Sequence, residues 1–378
     1  MKNVILIPDS FKGTMSSSEI CVIMQKEIAA LYPKAVIRSI PVADGGEGSV
    51  DCFLQALGGE KIFCRAKNPF LEEMESFYGL IDQGKTAVIE MAAAAGLPLI
   101  EDRRDPLRAS TYGVGMQMLD AVDRGVSKII LGLGGSATSD GGCGTASAAG
   151  IRFFDKEGKA FVPAGGTLQE IARIDATHLD ERLKNVQIIA MCDIDNPMYG
   201  PNGAAEVFGP QKGATPEMVR LLDDGLRHLS EVIRGDLSVD VSQLPGGGAA
   251  GAMGAGMVAF FGATLQMGIE TVLDTVDFSA CLKDADMVFT GEGKIDGQSL
   301  RGKVVIGVAR RAKRLNVPVI AVVGDIGENV EGAYIEGVSA IFSINRVAVE
   351  FKQARLRAKS DLALTMNNLL RLLKQLGC

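Results

Sequence analysis

The chain has 378 residues, a formal net charge of −7 and a hydrophobic fraction of 47%. This length predicts about two domains, and the composition excludes an intrinsically disordered chain. The acidic balance, 5% aromatic residues and absence of tryptophan argue against a nucleic-acid-binding protein, which would carry a basic surface and stacking aromatics. Glycine is abundant, with 46 residues, which predicts loops whose backbone approaches a ligand or another segment closely.

The cysteine content and the one long uncharged segment indicate the cellular compartment that we expect for the protein. The seven cysteines form no CxxC pair and only two histidines are present, so we expect no zinc site and reduced thiols in a cytoplasmic protein. The uncharged stretch from Leu244 to Ile269 is dense in glycine, which favours a buried loop and a core helix over a membrane span. We expect neither a membrane nor a nucleic-acid partner.

The chain begins with a β-α-β-α pattern. Val4–Ile7 is a short apolar run that predicts a buried strand. Ser16–Glu19 has the pattern of a capping box, and the helical spacing of apolar residues continues to Leu31. A second strand is predicted over 35–40 and a second helix over 47–57.

The middle of the chain, residues 61–283, departs from this alternation. Phe77–Ile81 and Thr86–Met91 are predicted to be the two strands of a β-hairpin with a turn at Asp82–Gly84. Several glycine-rich loops follow. We interpret this region as a second α/β domain inserted into the first.

The alternation returns near the end of the chain. The predicted strands lie at 287–289, 317–323 and 338–344, and the predicted helices at 304–315 and 360–376. Together with the first two strands, they predict a doubly wound, flavodoxin-like parallel sheet built from residues 1–60 and 284–378. A ligand site is expected in the cleft between this domain and the inserted one.

Three glycine motifs match well-known nucleotide patterns. Gly79–Thr86 fits the P-loop pattern letter for letter, but the β-branched residues that follow predict a strand where a P-loop needs a helix. Gly132–Ala137 fits a dinucleotide fingerprint, but Asp140 and the glycines beside it interrupt the helix that such a fold requires. Gly297–Lys303 has Val304 where a P-loop hydroxyl would bind magnesium, so we retain it only as a phosphate-binding loop.

Acids and lysines follow the predicted strands of the first domain. For the strand order 2-1-3-4-5, ligands are expected beyond the carboxyl ends of the first and third strands. Carboxylates suit a hard cation, and lysines with glycine amides suit phosphate oxygens. The residues concerned are Asp9, Ser10, Lys12, Asp44, Glu292, Lys294, Asp296 and Lys303.

The inserted domain has comparable loops. Two of these loops suit anions: a glycine segment rich in hydroxyl residues, and a glycine triplet before a predicted helix. An acid and a lysine follow other predicted elements of this domain. The residues concerned are Gly134, Gly135, Ser136, Asp140, Asp193, Lys212, Gly247 and Gly248. An aspartate beside a glycine is more often a turn or cap residue, so the hypothesis depends on the recurrence of these loops.

These loops resemble those of the bacterial glycerate kinase family found in glyoxylate and sugar-acid catabolism. The matching stretches cover nearly the whole chain and are PDSFKGTMSSSE, PVADGGEGSVD, VIEMAAAAGLP, LGGSATSDGGCG, CDIDNPMYGPNGAAEVFGPQKGAT and FTGEGKIDGQSLRGK. Small departures at Ser139, Gly247, Ala252 and Ser299 remove no charged group. The resemblance implies ATP-dependent phosphorylation of D-glycerate on its 2-hydroxyl, and a flavodoxin-like domain with an inserted one.

Residue roles follow from the chemistry of phosphoryl transfer. Asp193 or Asp44 is the candidate general base, and Lys212 the candidate for the substrate carboxylate. Phosphate oxygens are assigned to Lys12, Lys294 and Lys303, and Mg²⁺ to Glu292 and Asp296. The alternatives are a kinase of another small hydroxy or sugar acid, a non-catalytic sugar-acid sensor and a dehydrogenase. The sequence leaves open the oligomeric state, 2- versus 3-phosphorylation and the pathway that supplies glycerate.

Overall fold

The structure, a computed structural model, describes residues 1–43, 45–297 and 299–377. Within these ranges the strands, in chain order, are β1 (Asn3–Pro8), β2 (Val36–Ser39), β3 (Glu60–Lys67), β4 (Glu73–Ile81), β5 (Thr86–Glu90), β6 (Lys128–Gly132), β7 (Arg152–Phe154), β8 (Ala160–Phe161), β9 (Arg173–Asp175), β10 (Gln187–Met191), β11 (Thr264–Gln266), β12 (Met287–Gly291), β13 (Lys294–Ile295), β14 (Val319–Val323), β15 (Asp325–Ile326) and β16 (Val338–Ser343).

The α-helices of the same ranges are α1 (Ser17–Leu31), α2 (Ser49–Leu57), α3 (Ala92–Ala95), α4 (Tyr112–Asp123), α5 (Cys143–Ala148), α6 (Ala204–Phe208), α7 (Pro216–Leu237), α8 (Ala249–Phe261), α9 (Gly268–Thr275), α10 (Phe278–Leu282), α11 (Val304–Lys313), α12 (Gly332–Glu336) and α13 (Phe351–Gln375). Short 3₁₀ helices lie at Asp82–Gly84, Leu97–Ile100, Gly165–Glu170, Glu181–Asn185, Pro210–Lys212 and Ser299–Arg301.

The described residues divide into two compact units. The first comprises residues 1–43, 55–57 and 269–377, and the second comprises 45–54 and 58–268. Residues 269–283, which the sequence analysis assigned to the inserted domain, belong to the first unit.

The first unit is built on a five-stranded sheet in the order β16-β14-β12-β1-β2, and every pairing in it is parallel. This is the predicted doubly wound order 2-1-3-4-5, so the flavodoxin-like prediction is confirmed. Helices α1 and α13 bury apolar side chains against β1, β12 and β14, among them Ile20, Met24 and Leu362. Helix α11 also packs on β12 and β14, and both strands are buried throughout.

The second unit is built on a six-stranded mixed sheet in the order β11-β10-β6-β5-β4-β3. Strands β5, β6, β10 and β11 are parallel, and β3 and β4 are antiparallel. A separate antiparallel sheet has the order β8-β7-β9. Since β5, β6 and β10 run in one direction, the loops that follow Glu90, Gly132 and Met191 leave from the same edge.

Most local predictions hold, with changes at element ends. Ser16 and Glu19 form the predicted capping box of α1. Helix α13 begins at Phe351 rather than at residue 360, because the charged residues that fill its first turns hide the helical spacing. The uncharged stretch contains α8, as predicted, and none of the helices in the described part of the chain combines the length and hydropathy needed to cross a bilayer.

The structure shows which secondary-structure elements surround each of the three glycine motifs. The P-loop match falls on the turn between β4 and β5, which pair antiparallel, so no helix receives it. The dinucleotide match follows β6, but the next helix, α5, has six residues, and β7 joins the separate sheet. The third match leads into α11 with Lys303 as its N-cap residue, although Gln298 within it lies outside the described residues.

Candidate functional site

A cavity of about 420 Å³ opens in the second unit beside the carboxyl ends of β6 and β10. Ligands of parallel α/β sheets bind at this edge, because the loops that leave the strands meet there. Five predicted site residues line the cavity: Gly134, Gly135, Ser136, Asp193 and Lys212.

Lys212 is a buried cation in the cavity wall. Only 2% of the residue is exposed, and its ammonium group donates hydrogen bonds to Ser136 Oγ at 2.7 Å and to the Thr138 carbonyl at 2.5 Å. Burial lowers the pKa of Lys212 to about 7, and the negative charge of Asp140 opposes this shift. An ammonium has three donor hydrogens, so one remains for an anionic ligand.

Asp140 is placed differently from the prediction that it binds substrate or phosphate. It is completely buried, and its carboxylate accepts hydrogen bonds from the Thr111 amide and hydroxyl and from the Gly142 and Gly144 amides. Burial raises its pKa, and these hydrogen bonds oppose the rise. Asp140 therefore fixes the loop whose Thr138 carbonyl binds Lys212, and it does not line the cavity.

Asp193 follows β10 and is exposed at the cavity. Its Oδ1 atom accepts a hydrogen bond of 2.7 Å from the Gly268 amide. The bond fixes the orientation of a carboxylate on the cavity wall.

The glycine segment after β6 packs directly on residues 45–48. The Gly134 amide donates to the Gly45 carbonyl at 3.0 Å, and a Cβ atom at Gly134 would lie 2.6 Å from Gly46 Cα. The glycines therefore permit close backbone contact, and the Gly134 amide is already used by the protein. Gly135 has a φ of 74°, a conformation that favours glycine.

The triplet before α8 was predicted to bind anions through its amides. The Gly247 amide donates to the Leu244 carbonyl within the local turn, and the Gly248 amide donates to the Asn196 carbonyl in the loop after β10, so the protein itself uses both amides. The following residues, Ala250 and Ala252, have positive φ values of 55° and 67°. Ala250 lines the cavity, so this part of the wall is a strained backbone turn.

Sequence reasoning missed Glu90. This buried acid ends β5, and its carboxylate accepts a hydrogen bond of 2.6 Å from the Val50 amide at the start of α2. The backbone of Gly48 also hydrogen-bonds Glu90, and burial raises the pKa of the carboxyl. Glu90 thereby anchors the segment that packs on Gly134. The sequence signal that could have identified Glu90 is a single acid at the end of a buried apolar strand.

The first unit has a separate group of acids at the carboxyl ends of β1 and β12. Glu292 is 5% exposed, and its Oε1 atom has no hydrogen-bond partner among the described residues. Burial raises the pKa of Glu292 to about 7; Ser299 and Lys303 oppose the rise, and Asp9 and Asp296 add to it. Four predicted residues therefore interact here: Asp9, Glu292, Asp296 and Lys303.

The remaining predicted residues of the first unit lie around these acids. Lys294 Nζ is 4.0 Å from Asp296 Oδ2, and the Ser10 amide donates to Asp9 Oδ1. A Cβ atom at Gly293 would lie 3.4 Å from the Lys12 backbone nitrogen. Asp44 lies outside the described residues, and those residues contain no group of three His, Cys, Asp or Glu side chains arranged to hold a metal ion.

Comparisons with known proteins indicate the same family as the loop motifs in the sequence. A family model described as the glycerate kinase family matches residues 4–374. A protein named glycerate kinase from Halalkalibacterium halodurans is 46% identical over 345 residues, 91% of each chain. A protein named glycerate 2-kinase from Escherichia coli is 43% identical over 342 residues, 90% of each chain.

A solved structure agrees with the fold. The crystal structure of a candidate glycerate kinase 2 from Salmonella typhimurium LT2 is 41% identical and has a TM-score of 0.87, covering 99% of this chain and 98% of that one. From the loops, the fold and these comparisons, the chain belongs to the glycerate kinase family of enzymes.

Proposed function

We propose that the protein transfers the γ-phosphoryl group of ATP to the 2-hydroxyl of D-glycerate, giving 2-phosphoglycerate and ADP, with Mg²⁺ as the divalent cation. Family membership supports phosphorylation of glycerate, and the relative named glycerate 2-kinase supports the position. The observation that carries the proposal is Lys212, a buried cation held by two hydrogen bonds in the wall of a cavity. The cytoplasmic location stays a prediction.

Lys212 and Ser136 are the proposed anchors of the glycerate carboxylate. The Ser136 hydroxyl oxygen accepts from Lys212, so its own hydrogen is available for donation. An ammonium and a hydroxyl that both donate to one carboxylate give short, charge-assisted hydrogen bonds. The scarcity of solvent at Lys212 strengthens these bonds, because the local dielectric constant is low.

Asp193 is the proposed general base. As the 2-oxygen of glycerate forms its bond to the γ-phosphorus, the bond from that phosphorus to the β–γ bridging oxygen breaks and ADP leaves. The hydroxyl proton passes to the Asp193 carboxylate, whose orientation the Gly268 amide fixes.

Glu292 and Asp296 are the proposed ligands of Mg²⁺. The buried Glu292 Oε1 atom without a partner, together with a second carboxylate, fits a cation that binds oxygen. Mg²⁺ usually binds one or two protein carboxylates and completes its shell with water and phosphate oxygens, so a pair suffices. When bound, the ion neutralises charge on the β- and γ-phosphates. Lys12, Lys294 and Lys303 are the proposed phosphate-binding cations.

The test is a substrate panel. The purified protein is incubated with ATP, Mg²⁺ and, separately, D-glycerate, L-glycerate, lactate or glycolate, and ADP is measured. We expect ADP with D-glycerate and a 2-phosphate ester in the phosphorus NMR spectrum of the product. A 3-phosphate ester would refute the assigned position. ADP with another acid only would support the alternative kinase, and glycerate binding without ADP would support a sensor.

A further inference from the structure

An exposed apolar segment connects β16 with α13 in the first unit. Val347, Val349 and Phe351 are 51%, 37% and 62% exposed. Three apolar side chains exposed within five residues exceed the scattered single exposures that are normal on a protein surface.

The course of this segment takes it along the ligand-binding edge of the five-stranded sheet. It starts at Ser343, the carboxyl end of β16, and reaches Phe351 near Gly13, in the loop after β1. Strands β14 and β12 lie between β16 and β1, so the segment passes both near their carboxyl ends. Nucleotides bind at this edge of doubly wound sheets.

Hydrogen bonds join the start of the segment to the acidic group. The Ser343 hydroxyl donates to the Gly324 carbonyl at 3.1 Å and accepts from the Asn345 amide at 3.0 Å. The Gly324 amide donates to the backbone carbonyl of Glu292 at 3.0 Å. Two hydrogen bonds through Gly324 therefore link the start of the segment to Glu292, the proposed magnesium ligand.

Phe351 lies beside a loop proposed to bind phosphate. A Cβ atom at Gly13 would lie 3.9 Å from Phe351 Cζ, and Lys12 directly precedes Gly13. An exposed aromatic ring therefore stands next to a backbone that carries a candidate phosphate-binding cation.

Two cations of this region add to its suitability for phosphates. Residues 346–359 contain five cations and one acid, and three of the cations pair with acids outside this range: Arg346 and Arg357 with Asp361, and Lys359 with Glu19. Lys352 and Arg355, which follow Phe351, are the cations of the range that contribute positive charge beside the exposed ring.

We propose that Phe351, with Val347 and Val349 beside it, is the seat of the base of the nucleoside triphosphate. The inference rests on the proposed function, which makes the phosphoryl donor a nucleotide. The base stacks on the Phe351 ring, and the phosphates extend toward Lys12 and Glu292. Stacking tolerates different bases, because every base presents a π face.

A fluorescence titration tests the seat directly, because the chain contains no tryptophan. The variant Phe351→Trp has a single reporter at the seat, and Leu356→Trp has one at an 83% exposed position of the same helix. We expect ATP with Mg²⁺ to change the fluorescence of Phe351→Trp at concentrations where inorganic tripolyphosphate does not, and Leu356→Trp to respond to neither. No response of Phe351→Trp to ATP, or an equal response to tripolyphosphate, would overturn the proposal.

Kinetics separate the seat from the rest of the enzyme. Replacing Phe351 by alanine should raise the KM for ATP about 5- to 150-fold, the range that loss of one base–aromatic stack implies, with the KM for glycerate and the melting temperature unchanged. Leu356→Ala should change none of the three. An unchanged ATP KM in active Phe351→Ala would refute the seat and leave the proposed function intact. Absence of ADP formation by the wild type would refute the function, and the titration would still test the seat.

Discussion

The Lys212 ammonium nitrogen lies 2.7 Å from the hydroxyl oxygen of Ser136, and both residues line the same cavity. A buried amine whose pKa falls to about 7 costs folding free energy, since the unfolded chain holds its proton more tightly. The protein retains this cost at the position where we propose that an anionic substrate binds. A substrate-binding role and a structural role of Lys212 have different effects on the KM for glycerate and on the melting temperature.

Replacing Lys212 by methionine should raise the KM for glycerate roughly 10- to 150-fold, the loss of one charge-assisted hydrogen bond. The melting temperature should stay the same or rise, because an apolar side chain replaces a desolvated amine. Lys184→Met, which removes an exposed lysine paired with Glu181, is the matched control. A lower melting temperature with unchanged KM would assign Lys212 a structural role.

The pH profile should report the Lys212 proton. The protonated amine binds the carboxylate, so kcat/KM for glycerate should fall as the pH rises above about 7, by up to tenfold per unit. Bound glycerate raises the pKa of the amine, so kcat should stay constant up to a higher pH than kcat/KM does. Lys212→Met should lack this limb of the profile. An alkaline limb retained in that variant would show that another group titrates.

Replacing Asp193 by asparagine should lower kcat about 100- to 10 000-fold, the usual contribution of a general base. The KM for glycerate should change little, because the amide keeps the size of the side chain and its acceptor for the Gly268 amide. Asp195→Asn, two residues away and also exposed, should stay near wild type. Turnover by Asp193→Asn near the wild-type rate would exclude it as the base.

Replacing Glu292 by glutamine should stabilise the protein at pH 8. Burial raises the folded-state pKa of Glu292 to about 7, against 4.5 for the ordinary group. The native state then holds the proton more tightly, so stability falls as the pH rises from about 4.5 through 7. Above pH 7 the ionised group costs on the order of 3 kcal/mol.

Urea unfolding at pH 8 and pH 5 measures this effect. The gain from Glu292→Gln should be present at pH 8 and much smaller at pH 5, and magnesium-dependent activity should be lost. Equal gains at both pH values would show that the carboxylate is not the source of the cost.

Replacing Ala250 by glycine should raise the free energy of unfolding by up to about 1 kcal/mol. Alanine at a φ of 55° clashes with its own backbone, and glycine does not. Ala259, in the regular part of the same helix, is the control: its change to glycine should cost about 0.5–1 kcal/mol. Losses of the same size in both variants would show that the turn at Ala250 is not strained.

The doubly wound sheet was predictable because short apolar runs such as Val4–Ile7 and 317–323 alternate with helical patterns. The strand order itself rests on the common doubly wound order 2-1-3-4-5 and does not follow from the residues. The start of α13 was not predictable, because Phe351 and the charged residues after it bury no regular stripe.

The roles of the polar residues were only partly predictable. Lys212, Ser136 and Asp193 line one cavity of the second unit, whereas the sequence predicted a site in a cleft between two domains. Asp140 has the same local sequence context as a ligand-binding acid, but its carboxylate is bonded to Thr111, 29 residues earlier. Likewise, no pattern tells whether the Gly247 amide meets an anion or the Leu244 carbonyl. Such choices depend on partners that only the folded chain brings near.

The backbone contact between the segment at Gly45 and the end of β6 limits how this enzyme can vary. A Cβ atom at Gly132 would lie 2.2 Å from the Gly45 carbonyl oxygen, and no rotamer relieves a clash with backbone. Position 132 is therefore closed to single substitutions unless residues 45–48 shift as well. Because those residues adjoin the cavity through Gly46, a shift that accommodated a side chain at position 132 would also displace part of the cavity wall.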